Sequence, residues 1–534
     1  MNISENNNAP TFLQDLAADV FAKYNESVGE VVLVFPNKRS GLFFKRYLSK
    51  LSEKPLWSPE VLSIEEFIES RSSLKKEDPL NLLMILFEEY KKIFSGSDIL
   101  ENFFFWGEIL IKDFDDIDKN LVNASQLFIN LARYKELGSL DYLENEEKEI
   151  LERFWKDFEI NKSKGRESFI AFWEKLGGLY KSYTTELKKQ GIGYQGLIYK
   201  DVAEHMAVDQ TEREVIFAGF NYLTKSENKI IQQYILSGKG DIYWDFDQYY
   251  FNNKAQEAGY FFRQYKNIVI YKRSFQRAVP NYIQDLQREI NVIATSSHSS
   301  QVRLVGDILN AKIKEGITDW TKTAIIVPDP SLLKNLLWSL PEKIKEINIS
   351  IGIPVSSTAA YKFVEEFFIL INSASVNSEK VYYSKKLLIK FLSNSYSIRI
   401  FGAEYVEQVI VQIEKIRAGV VGYDVIVDIS KGISEFLTYS NSLEIMIARV
   451  EKALVLLDQF LTNPMDLISV NVLLEIIQKI RELERTFSIP LSIAVFEKII
   501  HDIVLNLFWF VIKNFVILIT CCFYHLSYCC HLSY

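Results

Sequence analysis

Cysteine is missing from all but the end of this 534-residue chain: the only four lie in the last 14 residues, at Cys521, Cys522, Cys529 and Cys530. A disulfide framework for the body of the protein is thereby excluded. Proline (12) and glycine (22) are also sparse, which leaves little room for a turn-rich or low-complexity chain. Positive charge does not dominate either. With a formal net charge of −8, bulk attraction to nucleic acid is excluded and only a local basic groove stays open. The opening MNISENNNAP lacks a basic start and an apolar core, so no secretory signal is expected and the cytoplasm is the default compartment. A phosphate-wrapping GxxxxGK[ST] segment is missing too: the one Gly-Lys pair, in SGKG at 237–240, has Gln233 where the first glycine belongs. Nor does a magnesium-holding acidic motif follow a later strand, for the segment 214–218 runs into Gly219, Phe220 and Asn221. ATP hydrolysis is not expected.

What is present reads as globular, with 48% hydrophobic and 24% charged residues, and the length predicts several domains. Periodicity predicts a helix over 10–28, a strand over 31–35 and a helix over 40–51. A short extended piece and a helix follow in 55–68, with Ser63 and Glu66 spaced as a capping box. Residues 78–200 are helical in period and rich in aromatics, as in FFFWGEILIKDF (103–114). Strands return at 213–220, 241–247 and 267–272. A second strand–helix–strand unit is expected at 290–297, 301–313 and 323–329, and helices again from 360 to 500. The fold class is α/β and predominantly helical, with parallel sheets that place ligand sites at strand carboxyl ends.

The segment VVLVFPNKRSGLFF (31–44) is the first such place. Between 31 and 50 there are five basic residues (Lys38, Arg39, Lys45, Arg46, Lys50) and no acidic one. Lys38 and Lys45, like Arg39 and Arg46, are seven apart and share a helical stripe beside a helix N-terminus, where anions are favoured. One reading is contact with a nucleic-acid phosphate backbone; the other is a solvated helix face. DFDDID (113–118) reads as a solvated turn capping the next helix, or as a cation site. Asp245 and Asp247 in WDFD imitate the Asp-x-Asp of metal-dependent nucleotide-sugar transferases, a rival class; otherwise they fix a loop. Aromatics at helical spacing, such as Phe103, Trp106 and Phe114, read as core. Tyr222 beside Asn221, after a core strand, is the better base-stacking candidate. His298 is expected to be exposed, with no catalytic partner in sight.

From Ile503 the composition changes abruptly: charge nearly vanishes and HLSY occurs twice, at 525–528 and 531–534. Three readings compete for residues 501–534: translation from a shifted frame, a membrane span interrupted by Asn506, Lys513 and Asn514, and a Cys/His zinc site of unusual spacing.

Several stretches, in this order and spacing, carry a resemblance over roughly residues 10–490: VFPNKRSGLFFKRYL (34–48), FFFWGEILIKDFDDIDKNLV (103–122), VIFAGFNYLTKSE (215–227), IYWDFDQYY (242–250), EAGYFFRQ (257–264) and NISIGIPVSST (348–358). The chain resembles the AddB-like subunit of bacterial AddAB helicase–nucleases, in the form typical of Bacteroidetes. The second α/β unit resembles the second RecA-like domain of RecB-type helicases. The resemblance implies two inactivated RecA-like P-loop-type domains with helical insertions. The first would comprise 1–75 and 200–285, with its insertion at 76–199. The second would start at 286–360, with its insertion at 361–500. Asn37, Lys38, Arg39, Lys45, Arg46, Asn221 and Tyr222 then become candidate DNA contacts in double-strand break repair, on a single strand or duplex end. An AddA-like helicase–nuclease subunit is the implied protein partner, and a membrane is a partner only if the tail is a genuine span. Relatives carry a magnesium-dependent PD-(D/E)XK nuclease domain and, in many, an iron–sulfur cluster; neither motif is present here, so no cofactor is expected in this chain.

Overall fold

The computed structural model describes residues 10–94, 100–128, 165–285, 289–320, 323–344, 347, 349, 353–377, 380–440, 442–461, 464–487, 493, 496–497, 499–501 and 508–509. The chain is mostly helical with a small parallel sheet, and it divides into two compact units between Glu289 and Ile290.

The first unit is organised by four parallel strands: β1 (Val32–Phe35), β2 (Glu60–Ser63), β3 (Val215–Phe220) and β4 (Gly240–Trp244), in the spatial order β2-β1-β3-β4. β1 is buried at every position and β3 at all but Gly219, as near-continuous apolar runs predict for a sheet covered on both faces. Helix α1 (Phe12–Tyr24), closed by a Thr11/Gln14 capping box, and α2 (Lys38–Leu48) lie on one face. Leu16, Val20, Val28, Leu33, Phe35, Phe44, Ile216 and Ala218 form one apolar cluster there. Each of the larger side chains, Val, Leu, Ile or Phe, contributes about 1.5–3 kcal/mol when fully buried, before conformational entropy is set against it. α3 (Ile64–Glu69) starts at Ser63, whose hydroxyl accepts from Glu66 N while the Glu66 carboxylate accepts from Ser63 N, the reciprocal cap read from the spacing.

A helical layer is inserted between β2 and β3: α4 (Pro79–Phe94), α5 (Leu100–Lys119), α6 (Gly165–Gln190) and α7 (Gln195–His205). The DFDDID stretch corrects the expectation of a solvated turn. It forms the last turns of α5, and Asp118 is fully buried. Its carboxylate accepts from the hydroxyls of Tyr180 and Tyr194 and from Lys200 Nζ at 2.9 Å. Asp115 accepts from Gly196 N at 2.6 Å and pairs with Lys119, supplying the first turn of α7 with an anion its own Tyr194 cap does not provide. Phe103 and Phe114 are core as expected, whereas Trp106 is 45% exposed and is not.

The α5–α7 contact depends on Gly196. A Cβ there would lie 2.2 Å from the Asp115 carbonyl oxygen, a backbone atom that cannot swing aside. Gly196→Ala should therefore destabilise the first unit by about 1–3 kcal/mol, read as a lower urea midpoint. A loss under about 0.5 kcal/mol would show that the two helices part without strain.

After β4 (α8, Lys225–Leu236, precedes it) the chain returns by short helices. The expected strand at 267–272 is instead a 3₁₀ turn over Val269–Tyr271, with Tyr271 buried and Val269 exposed. Apolar alternation over so few residues fits either; here the outer side of β4 is taken by Arg277, which donates to Ile242 O at 2.6 Å and pairs with Asp241.

In the second unit, the expected strands 290–297 and 323–329 are not strands among the described residues. Ile290, Val292, Ile293 and Ile326 stay exposed. Their β-branched runs fit a sheet, but propensity alone forms no strand without a paired neighbour. Between them α9 (His298–Lys314) packs on α10 (Leu333–Ser339), with Ser339 Oγ donating to Val302 O at 3.1 Å. His298 opens α9 behind the Ser297 cap and is exposed. The helical remainder centres on α11 (Ala359–Asn372), which buries Phe363, Phe367 and Phe368, with α12 (Leu443–Asp458) and α13 (Pro464–Phe487) beyond it in sequence. A three-stranded antiparallel sheet from Ser375–Asn377, Lys380–Ser384 and Val420–Gly422 was not expected from periodicity. Phe508–Trp509 pairs antiparallel with Ile353–Pro354. Apart from His501, the rest of the anomalous tail, with its cysteines, lies outside the described residues, and among those described no helix is long and apolar enough to cross a membrane.

Candidate nucleic-acid interface

The order β2-β1-β3-β4 makes the chain leave β1 towards one edge and resume on its other side. The crevice between the carboxyl ends of β1 and β3 is thus the topological switch point, where open α/β sheets bind ligands. The two ends are neighbours by register, since Val34 pairs with Phe217.

From β1 the chain enters α2 within three residues. Pro36 holds the exit extended, and Asn37, with extended backbone, caps the helix: its Oδ1 accepts from Ser40 N at 3.0 Å and from Ser40 Oγ at 3.2 Å. The segment PNKRS, left between the expected strand at 31–35 and the helix expected from 40, is therefore a cap and a first helical turn, with no acidic residue in it. Lys38, Arg39, Lys45 and Arg46 are all exposed. Seven residues at 1.5 Å rise put the second pair about 10 Å further along α2. Among the described residues Lys38 alone of the four has a carboxylate partner: its Nζ lies 2.6 Å from Glu66 Oε1. That hydrogen bond, more than the charge itself, raises the Lys38 pKa and lowers that of Glu66. The acidic α3 (IEEFIE) thus bounds the basic stripe on the β2 side.

At the end of β3, Gly219 adopts φ +77° where the pairing with β4 slips, a bulge that re-aims the following residues. Asn221 Oδ1 is buried and accepts no hydrogen bond among the described residues. Tyr222 is 51% exposed; its ring lies 4.9 Å from Phe261, which meets the equally exposed Tyr260 at 5.2 Å. Tyr265 Oη accepts from Leu223 N at 2.9 Å, and Thr224 then caps α8 with Glu227. Ser226 Oγ, in the first turn of α8, donates to the carbonyls of Asp118 (3.1 Å) and Lys119 (2.6 Å), fastening the start of α8 to the end of α5. Burial pushes the Glu227 carboxyl up despite its bonds to Thr224.

The structure thus brings Asn37, Lys38, Arg39, Asn221 and Tyr222 to one sheet edge and strings Lys45 and Arg46 down its flank. Sequence reasoning missed Glu66 as partner of Lys38 and missed Tyr260 and Phe261. The capping box and the EAGYFFRQ stretch were visible, but what they would face was not.

Asp245 and Asp247 do not form a presented pair. Asp247 is buried, its Oδ1 accepting from Tyr249 N at 2.8 Å and its Oδ2 from Ile283 N at 3.2 Å. Asp245 lines a cleft of about 370 Å³ with Phe12, Asp15, Asp19 and Tyr282, whose walls push its carboxyl up to about 6 although it keeps contact with solvent. Among the described residues no group of three His, Cys, Asp or Glu side chains is placed to hold a metal.

The fold and edge define an α/β sheet protein with a basic, aromatic-flanked switch point. No family model matches the chain, and no curated protein matches it.

Proposed function

We propose that the first unit binds the phosphate backbone of nucleic acid at the carboxyl edge of its sheet, without ATP hydrolysis, as the scaffold part of an AddB-like helicase–nuclease subunit. In that reading the two units correspond to inactivated RecA-like domains with helical insertions. DNA is the ligand, a motor subunit of the AddA type supplies ATP hydrolysis, and any nuclease activity lies outside this chain. The observation that carries the reading is the trio Arg39, Lys45 and Arg46, which have no carboxylate partner among the described residues, in line with Lys38 on a helix whose N-terminus opens at the switch point. The stripe, about 10 Å long, matches about three phosphates of a stacked strand. The exposed Tyr222 offers a face for an unpaired base. The nucleotide-sugar transferase alternative loses support because both oxygens of Asp247 are taken by backbone N–H groups.

Titration of a labelled single-stranded oligonucleotide with the full chain tests the proposal. Affinity should fall with salt at a slope of about −2 to −3.5 in log–log form, the value for three to five phosphate contacts to a single strand. Salt-independent binding, or DNA-stimulated ATP turnover by the purified chain, would refute it.

A further inference from the structure

We propose that Glu66 is a built-in competitor for the phosphate at Lys38, an autoinhibitory contact that keeps the first cation of the stripe occupied until a polyanion displaces it. The inference rests on the reading of this edge as a nucleic-acid interface and adds its regulation.

Three features of the pair carry it. First, the carboxylate is fixed and the ammonium is not. Glu66 Oε2 accepts from Ser63 N at 3.0 Å and from Ser63 Oγ at 2.9 Å, leaving Oε1 directed at Lys38. The Lys38 side chain is 73% exposed on a flexible stem, whereas that of Glu66 is 36% exposed. Second, Lys38 sits where a cation is disfavoured, at the first position of α2, next to the positive end of the helix dipole. A counterion is needed there, and Glu66, itself at a helix N-terminus that stabilises its charge, fills that role. A phosphate at the same place would meet both the α2 N-terminus and the ammonium. Third, the other three cations of the stripe carry no such partner among the described residues, so the restraint is confined to the end nearest the switch point. An exposed pair of this kind is weak, as a displaceable latch requires.

The test is Glu66→Gln in the full chain, with a labelled single-stranded oligonucleotide as the probe. Glutamine also serves the capping box with Ser63, so the fold should survive, at a cost of at most about 1 kcal/mol for the lost exposed pair and helix-end charge. Binding at low salt should tighten about two- to fivefold, and the salt slope should steepen by about 0.7, one further phosphate contact on a single strand. In a Lys38→Ala background the same substitution should do nothing. Unchanged or weaker binding in Glu66→Gln overturns the latch, as does an equal gain in the Lys38→Ala background, which would show a general charge effect. If Arg39→Ala/Arg46→Ala weakens binding while Glu66→Gln does not tighten it, the latch alone falls. If neither the natural chain nor Glu66→Gln binds in a salt-dependent way, the interface falls and the latch with it.

Discussion

Replacing Asp118 by alanine should destabilise the first unit by about 3–5 kcal/mol, the cost of leaving a buried charge uncompensated. The carboxylate is fully enclosed and holds three donors, Tyr180, Tyr194 and Lys200, from two other helices. Burial works against the Lys200 charge, yet the bond to Tyr180 and the charge of Asp118 outweigh it and hold the ammonium above its usual pKa. Without Asp118 that ammonium keeps, among the described residues, only the phenol of Tyr180 at 3.0 Å. Chemical unfolding followed by hydrogen exchange in α6 and α7 separates this unit from the second, whose stability should stay unchanged. The control is Asp118→Leu with Lys200→Met: removing both charges should recover most of the loss, because a buried ion pair exchanged for apolar groups is often neutral. A cost below about 1 kcal/mol for Asp118→Ala would mean that water reaches the pair. The effect also bears on the interface, since the Asp118 carbonyl accepts from Ser226 in the first turn of α8, the helix that follows the Tyr222 loop.

That network explains why part of the molecule was legible in the sequence and part was not. Whereas α2 starts at Lys38 behind the Asn37 cap, two residues before the expected 40, β1 and the Ser63/Glu66 cap are specified within a few residues, by a β-branched run and a side chain that bonds its own backbone. Local physics decides them, and reading along the chain finds them. DFDDID looked solvated because four neighbouring carboxylates repel and favour water. What buries Asp118 comes from Tyr180, Tyr194 and Lys200, between 62 and 82 residues away, and no local pattern announces it. The same limit runs the other way at 290–297 and 323–329, where the β-branched runs invite strands and the described residues provide no partner. At the interface, spacing sufficed to align Lys38 with Lys45 and Arg39 with Arg46. That Glu66 would reach Lys38 depends on α2 and α3 starting from adjacent strands of a parallel sheet, which is a property of topology.

Replacing Lys38, Arg39, Lys45 and Arg46 together by alanine should weaken oligonucleotide binding on the order of 100-fold at low salt. The salt slope should flatten by about 2, the three contacts of Arg39, Lys45 and Arg46 at roughly 0.7 each on a single strand, with little added by Lys38 while Glu66 engages it. Folding should survive, because all four side chains are exposed and alanine is the stronger helix former. The ion pair lost among the described residues, Lys38–Glu66, is of the exposed kind that contributes at most about 1 kcal/mol. The slope is the more telling quantity. A distorted site loses affinity at every salt concentration, whereas removal of phosphate contacts removes counterion release and so changes the salt dependence itself. An unchanged slope with weaker binding would place the phosphates elsewhere on the sheet edge, and an unchanged affinity would return the four residues to a solvated helix face. The graded form distinguishes the two ends of the stripe. Because Lys38 is already engaged by Glu66, Lys38→Ala alone should flatten the slope less than Arg46→Ala, even though Lys38 lies closer to the switch point.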